Sequence, residues 1–223
     1  MTQRLPLFPL GVVLFPGALL PLHIFEPRYR RLLADCIEGD PRFGLVPVGV
    51  LHDAPPPGTV GCIAELRGAQ QLPDGRSNIV VQGGSRLMVQ RYLEDSAPYL
   101  VAAIEPFNDR DDSTPNSTQL DQLLERYHHY APLIRELREA DPDSTPLPTD
   151  DVEALSFRVA ETLDCEIAER QRLLEMRSTR ERVERMLELL PGLTVQVEEG
   201  LHTRRRASGN GKGHLRPGLL EGT

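Results

Sequence analysis

Residues 5–33 read LPLFPLGVVLFPGALLPLHIFEPRYRRLL, and this stretch decides the fold. Its first half is strongly apolar, but proline or glycine interrupts it every few residues. Because an internal proline removes a helical hydrogen bond and clashes with the preceding turn, this half predicts short extended segments, with the prolines at strand ends, edges and turns. After Pro27 the apolar residues recur at the spacing of one helical face, at Tyr29, Leu32, Leu33, Cys36 and Ile37. The sequence therefore predicts a bent strand pair leading into a helix that starts at Pro27 and ends at Gly39.

The charge of the chain is unevenly distributed. Of its 223 residues 39% are hydrophobic and 26% charged, which is typical of a globular protein with ample core. The net charge is −8; residues 200–223 hold five basic residues against one glutamate, or +4, which leaves −12 on residues 1–199. Non-specific affinity for nucleic acid comes mainly from neutralised phosphates, so an acidic body disfavours a nucleic-acid partner.

The cysteines and the apolar N-terminal segment indicate the cellular compartment of the protein. Cys36, Cys62 and Cys165 are far apart and form no C-x-x-C motif, which is typical of free thiols in a reducing compartment. The apolar start is interrupted too often for a signal peptide, and no later run approaches the length of a membrane span. We therefore expect a cytoplasmic protein without membrane contact.

The pattern predicts an α+β chain with a β-rich part first. Residues 1–106 contain five to seven short strand-like segments and the one early helix, with a tight-turn signal at Asp74-Gly75. They predict a compact, partly closed β domain. Residues 107–117 have almost no apolar content and read as a linker.

The second part, residues 118–192, reads as three helices that pack antiparallel. The first has capping-box spacing at Thr118 and Asp121, and Pro132 predicts a kink or break within it. The third has capping-box spacing at Ser178 and Glu181 and is expected to stop at Pro191-Gly192. The second helix aligns one apolar face, formed by Val152, Leu155, Val159, Leu163 and Ile167. Residues 193–223 lack periodicity and predict a disordered tail.

Three separated motifs resemble the N-terminal, substrate-binding domain of the Lon proteases. FPLGVVLFPG followed by HIFEPRYRRLL is similar to the opening of that domain, and DGRSNIVVQGGSRLMV is similar to its central hairpin, with Gly-x-x-Arg at Gly83 to Arg86. The run from Arg158 to Leu190 resembles its helical end, including a Gln-x-Leu-Leu-Glu core at 171–175. The resemblance covers about residues 4–190.

The resemblance implies a β-rich, PUA-like pseudo-barrel followed by a helical bundle. It also implies recognition of unfolded or extended polypeptides, or of a protein partner. We expect this recognition to use an apolar groove and backbone pairing at an exposed strand edge. The ATPase of full-length Lon needs G-x-x-x-x-G-K-[ST], whereas the single lysine here, Lys212, lies in SGNGKGHL, and none remains for a Ser–Lys protease pair. We therefore expect a non-catalytic binding module without cofactor or metal.

The candidate binding residues fall into two groups and one isolated position. Phe15, Pro16, Leu19 and Leu22 could present an apolar surface to unfolded segments, or could be core. Glu26, Arg28 and Tyr29, at the strand–helix junction, could orient a bound peptide. Alternatively, Glu26 interacts with the free N–H groups of the helix and Arg28 pairs with a nearby acid. Arg86, which ends the Gly-x-x-Arg motif, completes the set.

The sequence also allows two alternatives to polypeptide recognition. A PUA-like nucleic-acid-binding protein could use the Arg204–Arg206 cluster, although such a run is usually a solvated charge run. A small hydrolase could use Cys36 or Cys62 with His23, but nothing in the sequence places a base beside a nucleophile. His23 itself reads as a partly buried, hydrogen-bonded histidine of an apolar strand.

Overall fold

The structure is a computed structural model that describes residues 3–48, 54–110, 114–141 and 145–210, with only the backbone described at 208–210. The α+β class is confirmed. In chain order the elements are β1 (Gln3–Leu10), β2 (Leu19–Ile24), α1 (Pro27–Glu38), β3 (Arg42–Pro47), β4 (Val60–Gln71), β5 (Ser77–Tyr92), β6 (Leu100–Pro106), α2 (Ser117–Arg138), α3 (Val152–Thr162), α4 (Ile167–Glu175) and α5 (Thr179–Asn210).

Five of the strands close into a barrel. β1 pairs in parallel with β3 and antiparallel with β6, and the remaining pairs, β3–β4, β4–β5 and β5–β6, are antiparallel. Closure removes the free edges that an open sheet would expose. The barrel interior is aliphatic and includes Leu5, Leu7, Val46, Leu87, Val89, Ala102 and Ile104.

β4 and β5 are longer than the barrel and continue beyond it as a hairpin. Its turn contains Asp74-Gly75, as predicted, and Gly75 has φ +79°, a conformation that favours glycine. The first half of β5 pairs with β2 in the register Leu19↔Gln82 to Ile24↔Ser77. No described strand pairs with the opposite edge of β2, so β2 is an edge strand.

Helix α1 packs on the inner side of this extension. It begins at Pro27 and is capped by Gly39, as the sequence predicted. Four of the five residues predicted for its buried face are buried, but Ile37 is 60% exposed. Ile37 follows the buried Cys36, and one residue turns the helix by about 100°, which carries its side chain away from the core.

One predicted feature of α2 is wrong. The capping box is formed by Asn116 and Gln119, not by Thr118 and Asp121: Asn116 Oδ1 accepts from the Gln119 amide at 2.9 Å, and Gln119 Oε1 accepts from the Asn116 amide at 3.0 Å. Of the two outcomes predicted at Pro132, a kink or a break, the break does not occur, because the helix continues to Arg138.

The predicted second helix is divided into α3 and α4. Leu163 is the buried residue at the end of α3, while Ile167 begins α4 and is exposed, so the two do not share a face. Arg170 explains how α3 can end there. Its Nη1 donates to the carbonyls of Glu161 and Leu163, both at 2.9 Å, and so satisfies acceptors that the helix end leaves open.

The predicted helix end at Pro191-Gly192 is also wrong, because α5 continues through both residues to Asn210. Pro191 has no N–H to offer the carbonyl of Leu187, four residues earlier, but the guanidinium of Arg126 on α2 donates to that carbonyl instead. Residues 193–210 are therefore helical. The remainder of the predicted disordered tail, residues 211–223, lies outside the described residues.

α2 and α5, which contain the first and third predicted helices, run parallel to each other. Gln119 near the start of α2 bonds Glu184 near the start of α5, and Glu136 near the end of α2 pairs with Arg205 near the end of α5. Between them, α3 and α4 bring the chain back from the end of α2 to the side where α2 begins. Among the described residues no helix is long and apolar enough to span a bilayer.

Candidate functional site

The eight candidate residues lie in different parts of the molecule. Leu22, Glu26, Arg28 and Tyr29 line one cleft, of about 400 Å³, which we name the β2 cleft. Pro16 and Leu19 line a second, of about 650 Å³, which we name the loop cleft. Phe15 and Arg86 belong to neither of these clefts and are buried.

The β2 cleft lies where β2 leaves the sheet and α1 begins. One wall is the end of β1, residues 8–11, and the other is residues 21–26, with Val48 at the end of β3. Phe25 sits between the strand and the first residue of the helix, and its side chain is 60% exposed. Val48 is also exposed, so the cleft has an apolar rim in contact with water.

Glu26 and Arg28 interact with each other. Glu26 precedes α1, but its carboxylate makes no hydrogen bond to the helix amides, so that predicted alternative is wrong. Instead it accepts from Arg28 Nε at 2.9 Å, which confirms the alternative that Arg28 pairs with a nearby acid. The Arg28 guanidinium also lies 4.6 Å from the ring centre of Tyr29, whose buried ring meets Phe8 edge-on.

The open edge of β2 borders the β2 cleft. The amide of Gly83 on β5 donates to the carbonyl of Ala18 at 2.8 Å, so Ala18 faces β5. Because backbone groups alternate between the two edges of an antiparallel strand, those of Leu19, Pro21 and His23 face away from β5. Pro21 has no N–H. Its nitrogen faces the unpaired edge, where pairing with β5 requires no hydrogen-bond donor.

The loop cleft separates the start of β2 from the helical part. Pro16, Gly17, Leu19 and Gln82 form one wall; the other contains Thr145, Pro146, Pro148, Ala154, Arg158 and Glu161. Leu19 is 60% exposed. The charges in the helical wall are paired, since Arg158 Nη1 lies 2.6 Å from Glu161 Oε2.

Phe15 is a core residue and has no exposed surface to offer a partner. Its ring centre lies 6.3 Å from that of Phe157 on α3, and the Arg170 guanidinium lies 5.1 Å from it. The backbone of Gly83 approaches so closely that a Cβ there would lie 2.0 Å from the Phe15 carbonyl oxygen. The first glycine of the Gly-x-x-Arg motif is therefore required by this approach.

Arg86 joins the barrel to the helical part. Its Nη1 donates to the carbonyls of Leu174 and Met176 at 2.8 and 2.7 Å, and its Nη2 pairs with Asp109. Burial lowers the pKa of the Arg86 guanidinium. Burial also acts to raise the pKa of Asp109, but hydrogen bonds from Arg182 and Thr179, with the charges of the two arginines, outweigh it and lower that pKa. The geometry gives Arg86 a structural role.

The alternative function, a small hydrolase that uses Cys36 or Cys62, lacks a reactive thiolate. Cys36 and Cys62 are buried, and burial raises the pKa of their thiols to about 11 and about 12. Both are thus protonated at neutral pH, whereas the thiolate is the reactive form. His23 is exposed, not partly buried as expected, and its Nδ1 lies 2.7 Å from Asn78 Oδ1. Within the described residues no group of three or more His, Cys, Asp or Glu side chains could hold a metal.

The arginine cluster at the end of α5 is partly neutralised. Arg204 pairs with Glu139 and donates to the Leu137 carbonyl at 3.1 Å, and Arg205 pairs with Glu136 at 2.7 Å. Both contacts hold the end of α5 against the end of α2. Arginines already engaged with carboxylates are less available to phosphate groups.

The closed barrel and the attached helices form a domain of the α+β class, with an apolar cleft beside an unpaired strand edge. Residues 4–191 match the family model described as the ATP-dependent protease La (LON) substrate-binding domain. The chain therefore belongs to this family, as its three motifs indicated. The matched module is the substrate-binding part of Lon and not its protease domain.

Individual relatives agree with this assignment. The chain is 30% identical over 193 residues to Lon protease 2 of Herpetosiphon aurantiacus, covering 83% of this chain and 23% of that protein. It is 24% identical over 210 residues to the Lon protease of Cytophaga hutchinsonii, covering 90% and 26%. The chain thus spans about a quarter of the length of the Lon proteases it matches.

Two solved structures share the fold. A Lon N-terminal domain protein from Xanthomonas campestris superposes with a TM-score of 0.60 at 26% identity, covering 83% of this chain and 98% of that one. The N-terminal domain of a Mycobacterium avium complex Lon protease gives a TM-score of 0.60 at 17% identity, covering 86% and 98%. The second comparison concerns the fold alone.

Proposed function

We propose that this chain is a non-catalytic module that recognises unfolded or extended polypeptides. The observation that carries the proposal is the β2 cleft, in which Phe25 and Val48 keep apolar surface in water beside an unpaired strand edge. Unfolded chains expose the apolar side chains that such a rim can cover. Membership of the Lon substrate-binding family supports the same class of partner.

Charge supports a protein partner over nucleic acid. Residues 1–199 carry a net charge of −12, and Arg204 and Arg205 are paired with glutamates. The free thiols favour a reducing compartment, which supports a location in the cytoplasm.

The test is a fluorescence anisotropy titration with two probes. One is labelled lactalbumin, kept unfolded by reduction and carboxymethylation, and the other is a labelled single-stranded RNA. Both are titrated at about 50 mM and about 200 mM NaCl, a range over which phosphate-driven binding weakens steeply. We expect saturable binding of the unfolded protein at both salt concentrations. Binding of the RNA alone, or of neither probe, would overturn the proposal.

A matched pair of variants locates the binding surface. Phe25 and Ile37 are equally exposed at 60%, but Phe25 lies in the β2 cleft and Ile37 lies at the end of α1, outside it. Phe25→Ala should weaken binding about tenfold, the size expected for an anchoring aromatic side chain. Ile37→Ala should leave the affinity unchanged.

A further inference from the structure

We propose that the bound segment is an extended strand of about six residues that pairs with the open edge of β2 and carries basic residues at the end next to Leu19. This inference rests on the proposed function, and it specifies the chemistry and the position of the bound polypeptide.

The open edge of β2 offers backbone groups at the spacing of a strand. The amides of Leu19 and His23 and the carbonyls of Leu19, Pro21 and His23 point away from β5. An added strand would bond these groups as β5 bonds the other edge. Pro21 contributes a hydrogen-bond acceptor but no donor. The middle of the open edge therefore offers an added strand fewer hydrogen bonds than its two ends do.

Each end of the edge opens into one of the two clefts. His23 and Ile24 line the β2 cleft with Phe25, whereas Leu19 lines the loop cleft. β2 has six residues and therefore extends about 20 Å. A segment paired along it would place side chains on the apolar rim at one end and beside the helical part at the other.

The end next to Leu19 is acidic. Residues 107–199 contain 22 acidic residues against 11 arginines, so they carry −11 of the −12 on residues 1–199. Residues 145–157, which include part of the wall of the loop cleft, contain three acidic residues and no basic one, at Asp150, Asp151 and Glu153.

Two of these acidic residues lie beside the loop cleft. Asp151 and Glu153 line a neighbouring cleft that shares Pro16 and Ala154 with the loop cleft. Both carboxylates are exposed, as is Asp150. Lysine or arginine in the bound segment would complement this surface.

The backbone part of the proposal is tested at His23. His23→Pro removes an amide that faces the open edge and leaves the bonds to β5 intact, while His23→Ala removes only the side chain. Binding of unfolded lactalbumin should be at least about tenfold weaker in His23→Pro than in His23→Ala, because both variants lack the imidazole and differ in the edge amide. Thermal melts by circular dichroism establish that both variants fold. Equal binding by the two folded variants would refute strand addition and leave the proposed function standing.

A set of short peptides tests the same point without changing the protein. The peptides alternate valine and threonine over about seven residues, and two versions carry N-methyl groups, one on alternate amides and the other on every amide. The alternately methylated peptide should bind and the fully methylated one should not, because only every second amide faces β2. Equal affinity of the two versions, or binding of lactalbumin but of none of the peptides, would refute strand addition.

The proposed basic end of the bound segment is tested with further peptides that have the same valine–threonine core. One carries two lysines and the other two glutamates, and each is made in two forms, with the charged residues at the N-terminus or at the C-terminus. The better lysine peptide should bind about tenfold more tightly than its glutamate counterpart at low salt. Asp150→Lys should reduce that ratio, and Asp74→Lys, in the turn between β4 and β5, should not. Equal binding of lysine and glutamate peptides would overturn the assignment of a basic end. Failure of unfolded lactalbumin to bind the unaltered protein would instead overturn the proposed function.

Discussion

Arg182 on α5 and Asp109 in the segment after β6 form a buried ion pair, with Nη2 2.8 Å from Oδ2 and side chains 0% and 7% exposed. Arg86 on β5 pairs with the same carboxylate. Arg182 Nε also donates to Ser156 Oγ on α3 at 2.8 Å. The Asp109 carboxylate therefore joins β5 of the barrel to α5, and Arg182 extends the contact to α3.

Asp109→Asn should destabilise the protein strongly. It leaves two buried guanidinium groups without their counter-charge, and breaking a buried pair in this way typically costs about 3–5 kcal/mol. Asp40→Asn is the control, since the Asp40–Arg42 pair is half-exposed and such pairs contribute at most about 1 kcal/mol. Urea unfolding followed by circular dichroism measures both. A loss at Asp109 no larger than at Asp40 would show that the cluster does not hold the two parts together.

The same carboxylate predicts loss of stability in acid. The pKa of Asp109 is lower in the folded protein than the value of about 3.9 expected when unfolded. The contribution of ionised Asp109 to the free energy of unfolding is therefore fully present above about pH 4. It is lost as the pH falls through the pKa of Asp109 in the folded protein. The urea midpoint measured between about pH 6 and pH 3 should decline less steeply in Asp109→Asn than in the unaltered protein. Parallel curves would contradict this assignment.

The features that the sequence predicted correctly depend on neighbouring residues. Pro27 and Gly39 bound α1, and Asp74-Gly75 lies in the turn between β4 and β5, as local rules of capping and turn chemistry require. The apolar spacing also identified most of the buried face of α1. Local signals were sufficient wherever the partner groups lie within a few residues.

The wrong predictions depend on contacts between distant residues. The helix passes Pro191 because Arg126, 61 residues before Leu187, donates to the carbonyl of Leu187. Phe15, predicted as part of an apolar surface, and Arg86, predicted with the Gly-x-x-Arg motif, are instead buried, and their contacts lie on α3 and at the end of α4. Phe25 was missed, although an apolar residue directly between a strand and the proline that starts a helix could have indicated it.

Gly83→Ala should be costly because of one close approach. A Cβ at Gly83 would meet the backbone carbonyl of Phe15, which cannot move aside as a flexible side chain could. We expect a loss of at least about 2 kcal/mol from forced displacement of the backbone. Gly68→Ala in β4 is the control, since nothing lies within 4 Å of its added Cβ. Urea unfolding of the two variants compares them, and similar midpoints would contradict the close approach.

The part of α5 beyond Pro191 should contribute to stability. Leu193, Val197 and Leu201 are buried in the core shared with α2, whereas Val195 on the same helical segment is exposed. Leu201→Ala should cost about 2–4 kcal/mol, the usual range for a buried leucine. Val195→Ala should change the free energy of unfolding by no more than about 0.5 kcal/mol. If both substitutions were neutral in urea unfolding, residues 193–210 would not be packed on α2 in solution, and the pairing of Arg204 and Arg205 with the end of α2 would lose its support.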